Sequence, residues 1–86
     1  MAKTKAKAVS ADQLRAARAI LGLSQPEVAS AAGVSSMTVK RAEGSAKPAP
    51  SEDAIASICR ALEAAGCVFV AQNSDGPGVR LRKTAK

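Results

Sequence analysis

Residues 23–43 read LSQPEVASAAGVSSMTVKRAE, and the punctuation of this stretch decides the fold. Ser24 stands where a helix N-cap belongs, with Glu27 three residues on to complete a capping box. Pro26 falls in the first turn, where no amide donor is needed. Leu23 and Val28 bracket the same start as a hydrophobic staple. Gly33 breaks this helix, and Ser35 caps the next, with Thr38 at its third position and Val34 and Val39 around its first turn. In that second helix Val39 and Ala42 face inward, while Ser36, Met37, Lys40 and Arg41 face outward or sideways. Gly44 stops it. The stretch predicts two short helices joined by a tight turn.

The same grammar extends in both directions. Upstream, Ser10 and Gln13 form a capping box, Val9 and Leu14 a staple, and Leu14, Ala17 and Leu21 an apolar stripe at three- and four-residue spacing. These predict a helix over 10–21, ended by Gly22. Downstream, SAKPAP at 45–50 is a loop by composition, and Ser51 caps a fourth helix running to about residue 65. Its stripe is Ile55, Ile58, Cys59 and Leu62, and Gly66 terminates it.

After Gly66 the period changes. CVFVAQ at 67–72 is β-branched and aromatic, NSDGPG at 73–78 is dense in turn formers, and VRLR at 79–82 alternates apolar and basic. These read as a β-hairpin with Val79 and Leu81 on one face and Arg80 and Arg82 on the other. A lone hairpin is marginal in water and needs a helix beneath it or a strand beside it. Val68 and Val70 lie opposite Cys67 and Phe69, so neither face of the first strand is polar, and Val68 and Val70 become candidates for a dimer interface. The expected organisation is a disordered basic arm (1–8), a helical domain (9–66), the hairpin (67–83) and a short tail (84–86). The fold class is mostly α: a four-helix bundle with a C-terminal β-hairpin.

Composition narrows the function. A chain of 86 residues makes one small domain with a modest core and no room for a deep substrate cavity. One Phe and no Trp or Tyr leave that core aliphatic. The net charge of +6, loaded at Lys3, Lys5 and Lys7 and again at Arg80, Arg82, Lys83 and Lys86, favours an anionic partner. No apolar run approaches the roughly 20 residues of a membrane span, and the charged N-terminus lacks the apolar segment of a signal peptide. A cytoplasmic location is expected, with Cys59 and Cys67 reduced and serving as small core hydrophobes. There is no His, so an imidazole base or a His-ligated metal is excluded, and two isolated cysteines are too few for a structural zinc site. The seven acids are scattered and read mostly as helix-start or surface carboxylates. Phosphate-binding glycine loops are absent. Neither an enzyme nor a cofactor or metal site is expected.

Two helices joined at a glycine, the second opening with small polar residues and carrying cations, have the sequence form of a helix-turn-helix. In that motif the second helix lies in the major groove of double-stranded DNA with its N-terminal residues toward base edges. Here those positions are Ser35, Ser36, Met37, Lys40 and Arg41. Arg41 has the fork geometry for guanine O6 and N7, and Met37 suits a thymine methyl. Ser24 and Gln25 open the preceding helix, whose N-terminus can meet a phosphate.

The series LGLSQ-x-E-x-A-x-x-A-G-V-S-x-x-T-V-x-R-x-E-x-G, within a stretch from Leu14 to Leu62, resembles the XRE family, the helix-turn-helix fold of phage lambda-type repressors and Cro. The resemblance implies a compact bundle, usually dimeric on DNA, reading a partly palindromic operator. Carried over by position, it implies that Gln25, Ser36, Met37 and Arg41 contact bases or position such contacts, and that Ser35 and Lys40 lie near phosphates. It also implies a semi-buried salt bridge between Arg18 and Glu43. The tail is similar to that of small bacterial regulators ending GVEF…GPGVRLRK, with Val68 where those carry Glu. The expected function is a sequence-specific DNA-binding transcriptional regulator, a repressor acting as a homodimer. The alternative is an antitoxin or adaptor that uses the same fold to bind a protein.

Overall fold

The computed structural model describes residues 9–70 and 78–82. The expected arm at 1–8, the hairpin turn and strand end at 71–77, and residues 83–86 lie outside the described residues. Four helices and two strands succeed one another: α1 (Ala11–Leu21), α2 (Gln25–Ala32), α3 (Ser36–Ala42), α4 (Glu52–Ala64), β1 (Cys67–Val70) and β2 (Gly78–Leu81).

Each helix starts at the serine whose side chain caps it. Ser10 and Ser24 form full capping boxes with Gln13 and Glu27, while Ser35 and Ser51 accept from the amides of Thr38 and Ala54. The first three helices also end alike. An amide just past each helix reaches back to a carbonyl in its last turns: Leu23 to Arg18, Val34 to Ala29 and Ser45 to Lys40, each at 3.0 Å. That closure needs a positive φ between helix and loop, and Gly33 supplies it at 74° in the turn joining α2 to α3.

The core is aliphatic, as composition requires. Leu14 and Ala17 of α1, Val28 and Ala29 of α2, Val39 and Ala42 of α3, and Ile58, Cys59 and Leu62 of α4 are buried together with Val9 and Cys67. Ile55, expected in the α4 stripe, is only partly buried at the margin of this cluster. Both cysteines are free and buried. Burial pushes the Cys59 thiol up to about 11 and raises that of Cys67, so both stay protonated at neutral pH.

The hairpin is antiparallel, with Cys67 opposite Leu81, Val68 opposite Arg80, Phe69 opposite Val79 and Val70 opposite Gly78. It packs on its own helices: β2 lies against α1, and β1 against α4 and α1. Cys67, Phe69 and Val79 face that support, whereas Leu81 on the same face is 53 % exposed. β2 starts at Gly78, one residue before the expected start, and ends at Leu81. Arg82 still adds a backbone bond to the carbonyl of Gly66, and its guanidinium donates to the carbonyls of Glu63 and Cys67 around the end of α4.

Gln13 fastens the hairpin down. The cap pattern anticipates only its local role, in which Oε1 accepts from the amide of Ser10 at 2.9 Å. Its Nε2 also donates to the carbonyls of Val70 (3.1 Å) and Gly78 (3.0 Å), which face each other across the two strands. Both N–H donors and the carbonyl of this buried amide are therefore satisfied. Gln13→Ala should lower stability by about 2–4 kcal/mol, because it strips a donor from two carbonyls at once. Urea denaturation measures the loss, and amide exchange at Val68 and Arg80 should accelerate more than exchange in α3. Unchanged exchange in the strands would mean the hairpin holds without this clamp.

Candidate nucleic-acid interface

α3 has two faces. Val39 and Ala42 are buried, and Ser35, Ser36 and Lys40 are exposed, as is Met37, a large apolar side chain left 47 % exposed in the first turn. Arg41 is half-buried, and its Nε is buried with no hydrogen-bond acceptor among the described residues. Ser35 is occupied as a cap: its Oγ accepts from the amide of Thr38 at 3.1 Å and lies 2.9 Å from the Thr38 hydroxyl.

The residue just past α3 holds it in place. Glu43 is the C-cap of α3 and only 2 % exposed, an exception among acids that read mostly as helix-start or surface carboxylates, and in keeping with the semi-buried pair to Arg18 that the family resemblance implies. An unpaired buried carboxylate would be strongly destabilising, so its partners matter. Arg18 of α1 meets it with two donors, Nε to Oε2 at 2.7 Å and Nη2 to Oε1 at 3.1 Å. This is the bidentate geometry in which guanidinium and carboxylate pair most strongly. The hydrogen bond to Glu43 raises the Arg18 pKa against the opposing effect of burial, so the cation is fixed. Arg18 Nη1 also donates to the carbonyl of Leu23, in the loop before α2, at 3.1 Å.

Two further side chains converge on Glu43. Gln25, in the first turn of α2, donates from Nε2 to Oε1 at 3.0 Å. One of the two donors of its amide is thereby committed inward, leaving a second donor and a carbonyl for other partners. Arg15 of α1 donates from Nη1 to the backbone carbonyl of Glu43 and from Nη2 to Asp12. It supplies a cation to the C-terminal end of α3, where the helix dipole favours one. The sequence pattern does not single out Arg15. Its three-residue spacing from Arg18 on the same helix is the available signal, but nothing local marks its target 28 residues away.

Of the residues singled out from sequence, the structure gathers Arg18, Gln25 and Glu43 into one cluster and sets Ser36, Met37, Lys40 and Arg41 on the helix that this cluster anchors. Ser24 is exposed at the head of α2, with its Oγ accepting from the amide of Glu27 at 3.2 Å. Val68 and Val70 are not part of this site; they sit half-buried on the hairpin face turned from Cys67 and Phe69.

This geometry, two capped helices closed at Gly33 with the second one presenting an open polar face, defines a helix-turn-helix. Comparison with protein families agrees: the helix-turn-helix domain family matches residues 11–69, which take in all four helices and most of β1. The chain belongs to this family, which is associated with XRE-like regulators and with DNA as the partner. Among curated proteins, no relative matches the chain. No helix among the described residues is long and apolar enough to cross a membrane.

The Glu43 cluster makes a prediction about stability. Arg18→Met should cost roughly 3 kcal/mol, because it leaves a buried carboxylate with its main partner gone, whereas Arg18→Met with Glu43→Leu should recover most of that loss. A thermal or urea double-mutant cycle measures the coupling. Additive losses would show that the two side chains do not act as a pair.

Proposed function

We propose that this chain is a sequence-specific regulator of transcription, which binds double-stranded DNA through α3 and represses by occupying a palindromic operator as a dimer. The observation that carries the reading is the exposed face of α3 fixed by Glu43: a reading helix discriminates between sequences only if its orientation is held before it meets DNA. In this reading Arg41 bonds guanine O6 and N7, Met37 contacts a thymine methyl, and Ser36 lies close to base edges. Ser35 and Lys40 lie near phosphates. Ser24 and Gln25 present the N-terminus of α2 to the backbone, where amides and dipole favour an anion. The partial burial of Arg41 supports its role, since a side chain already ordered loses less entropy on binding. A basic chain of +6 adds sequence-independent attraction.

A palindromic operator needs two copies whose reading helices enter the groove about 34 Å apart. Val68 and Val70 are the surface that the sequence alone offers for such a contact, and Val68→Glu with Val70→Lys tests it by sedimentation.

Selection of bound fragments from genomic DNA, with competition against random duplex, tests the reading as a whole. Arg41→Ala should weaken binding to the selected sequence by about 1–3 kcal/mol and relax preference at one base position per half-site. Equal loss on selected and random DNA would make Arg41 a phosphate contact, and no enrichment of any sequence would refute specific recognition.

A further inference from the structure

Dimerisation is part of the proposed function, and the surface on which two copies meet rests on that reading. We infer that the partner is a second copy of this chain, laid antiparallel along the outer stripe of α4 about a two-fold axis passing between Ala56 and Ser57.

α4 turns Ile58, Cys59 and Leu62 into the core. On the opposite side Asp53, Arg60 and Ala64 are exposed, with Ser57 half-exposed beside them. Asp53 and Arg60 are seven residues apart, two helical turns or roughly 10 Å along the axis, and so share a side. Neither joins an ion pair with another described residue of its own chain, whereas Arg15 with Asp12 and Arg18 with Glu43 do. Arg60 leans back along the helix, donating from Nη2 to the Ser57 hydroxyl at 3.3 Å. The stripe therefore reads acid, small residues, base. Turned end over end it reads base, small residues, acid. Two identical stripes laid antiparallel place Asp53 against Arg60 of the other copy, twice, and the small side chains of Ala56 and Ser57 between them allow close helix approach.

The hairpin face lacks this self-complementarity. Val68 stands opposite Arg80 in the register, so stacking that face on its copy sets arginine near arginine in a chain that already carries +6. The hairpin's need for support is also met within the chain by α1, α4 and Gln13. A crossing of two 13-residue helices, each roughly 20 Å long, falls at the small end of protein interfaces. Association in solution is accordingly weak, and two half-sites on one duplex complete it.

Sedimentation equilibrium of the full chain from micromolar to millimolar concentration tests the assignment, with circular dichroism melts to confirm that each variant folds. Asp53→Arg and Arg60→Asp should each raise the dimer dissociation constant about tenfold or more, since each turns two attractions into two repulsions. The two changes shift the net charge in opposite directions, so a common effect separates local pairing from overall repulsion. An equimolar mixture of the two variants should associate more strongly than either variant alone, because both contacts between positions 53 and 60 in a mixed dimer again join opposite charges when the stripes cross as stated. The double variant Asp53→Arg with Arg60→Asp restores both pairs in every dimer and should associate as well as the unaltered chain. Single variants that dimerise normally, or a double variant that does not recover association, would remove α4 as the interface and leave the DNA-binding reading intact. An unaltered chain that stays monomeric throughout and binds selected duplexes one to one would overturn the dimer itself.

Discussion

The structure turns on the burial of one negative charge. Glu43 lies just past the end of α3, nearly out of reach of water, and a carboxylate there is tolerable only with donors around it. Those donors come from two other helices: Arg18 grips the carboxylate from α1, and Gln25 from α2. Arg15 adds a grip on the Glu43 backbone. Since each contact has narrow geometric tolerance, satisfying the charge fixes α3 relative to α1 and α2. Apolar packing at Val39 and Ala42 would allow sliding, and the bidentate pair does not. A buried pair of this kind adds little net stability over an apolar substitute, so its value here is orientation.

The rest of the molecule is arranged around that anchor. α3 is only seven residues long and has little independent stability; its serine cap, its carbonyl closure and Glu43 hold it from both ends. Its outward face is then free of structural duty, apart from the cap at Ser35. At the other end of α1, Gln13 plays a comparable part with a neutral amide, tying the hairpin to the helix that also carries Arg15 and Arg18. α1 is thus the shared brace: its first turn holds the hairpin and its later turns hold α3.

Much of this is legible in the sequence because it is local. The four serine caps, the turn at Gly33 and the inward Val39 and Ala42 depend on neighbours within a turn or two, and the helices begin where those residues say. Long-range partners are not legible. Gln13 looks like an ordinary capping-box residue, and nothing nearby reveals carbonyls 57 and 65 residues away. Arg18 and Glu43 can be joined in advance only through resemblance to a family, since 25 residues separate them. Gln25 illustrates the middle case: its place at the start of α2 is evident, but its bond to Glu43 depends on how α2 and α3 cross. The support of the hairpin stays open in the sequence for the same reason, because period-two patterning cannot choose between a helix beneath and a strand beside.

The central claim is that α3, oriented by Glu43, is the surface that meets DNA. Amide chemical-shift mapping during titration with a selected duplex tests it most directly. The account predicts the largest changes at Ser35 to Arg41 and at Ser24 and Gln25, with Glu43→Gln broadening or redistributing them while the hairpin amides stay unchanged. Changes concentrated in the hairpin or α4, with α3 silent, would contradict it.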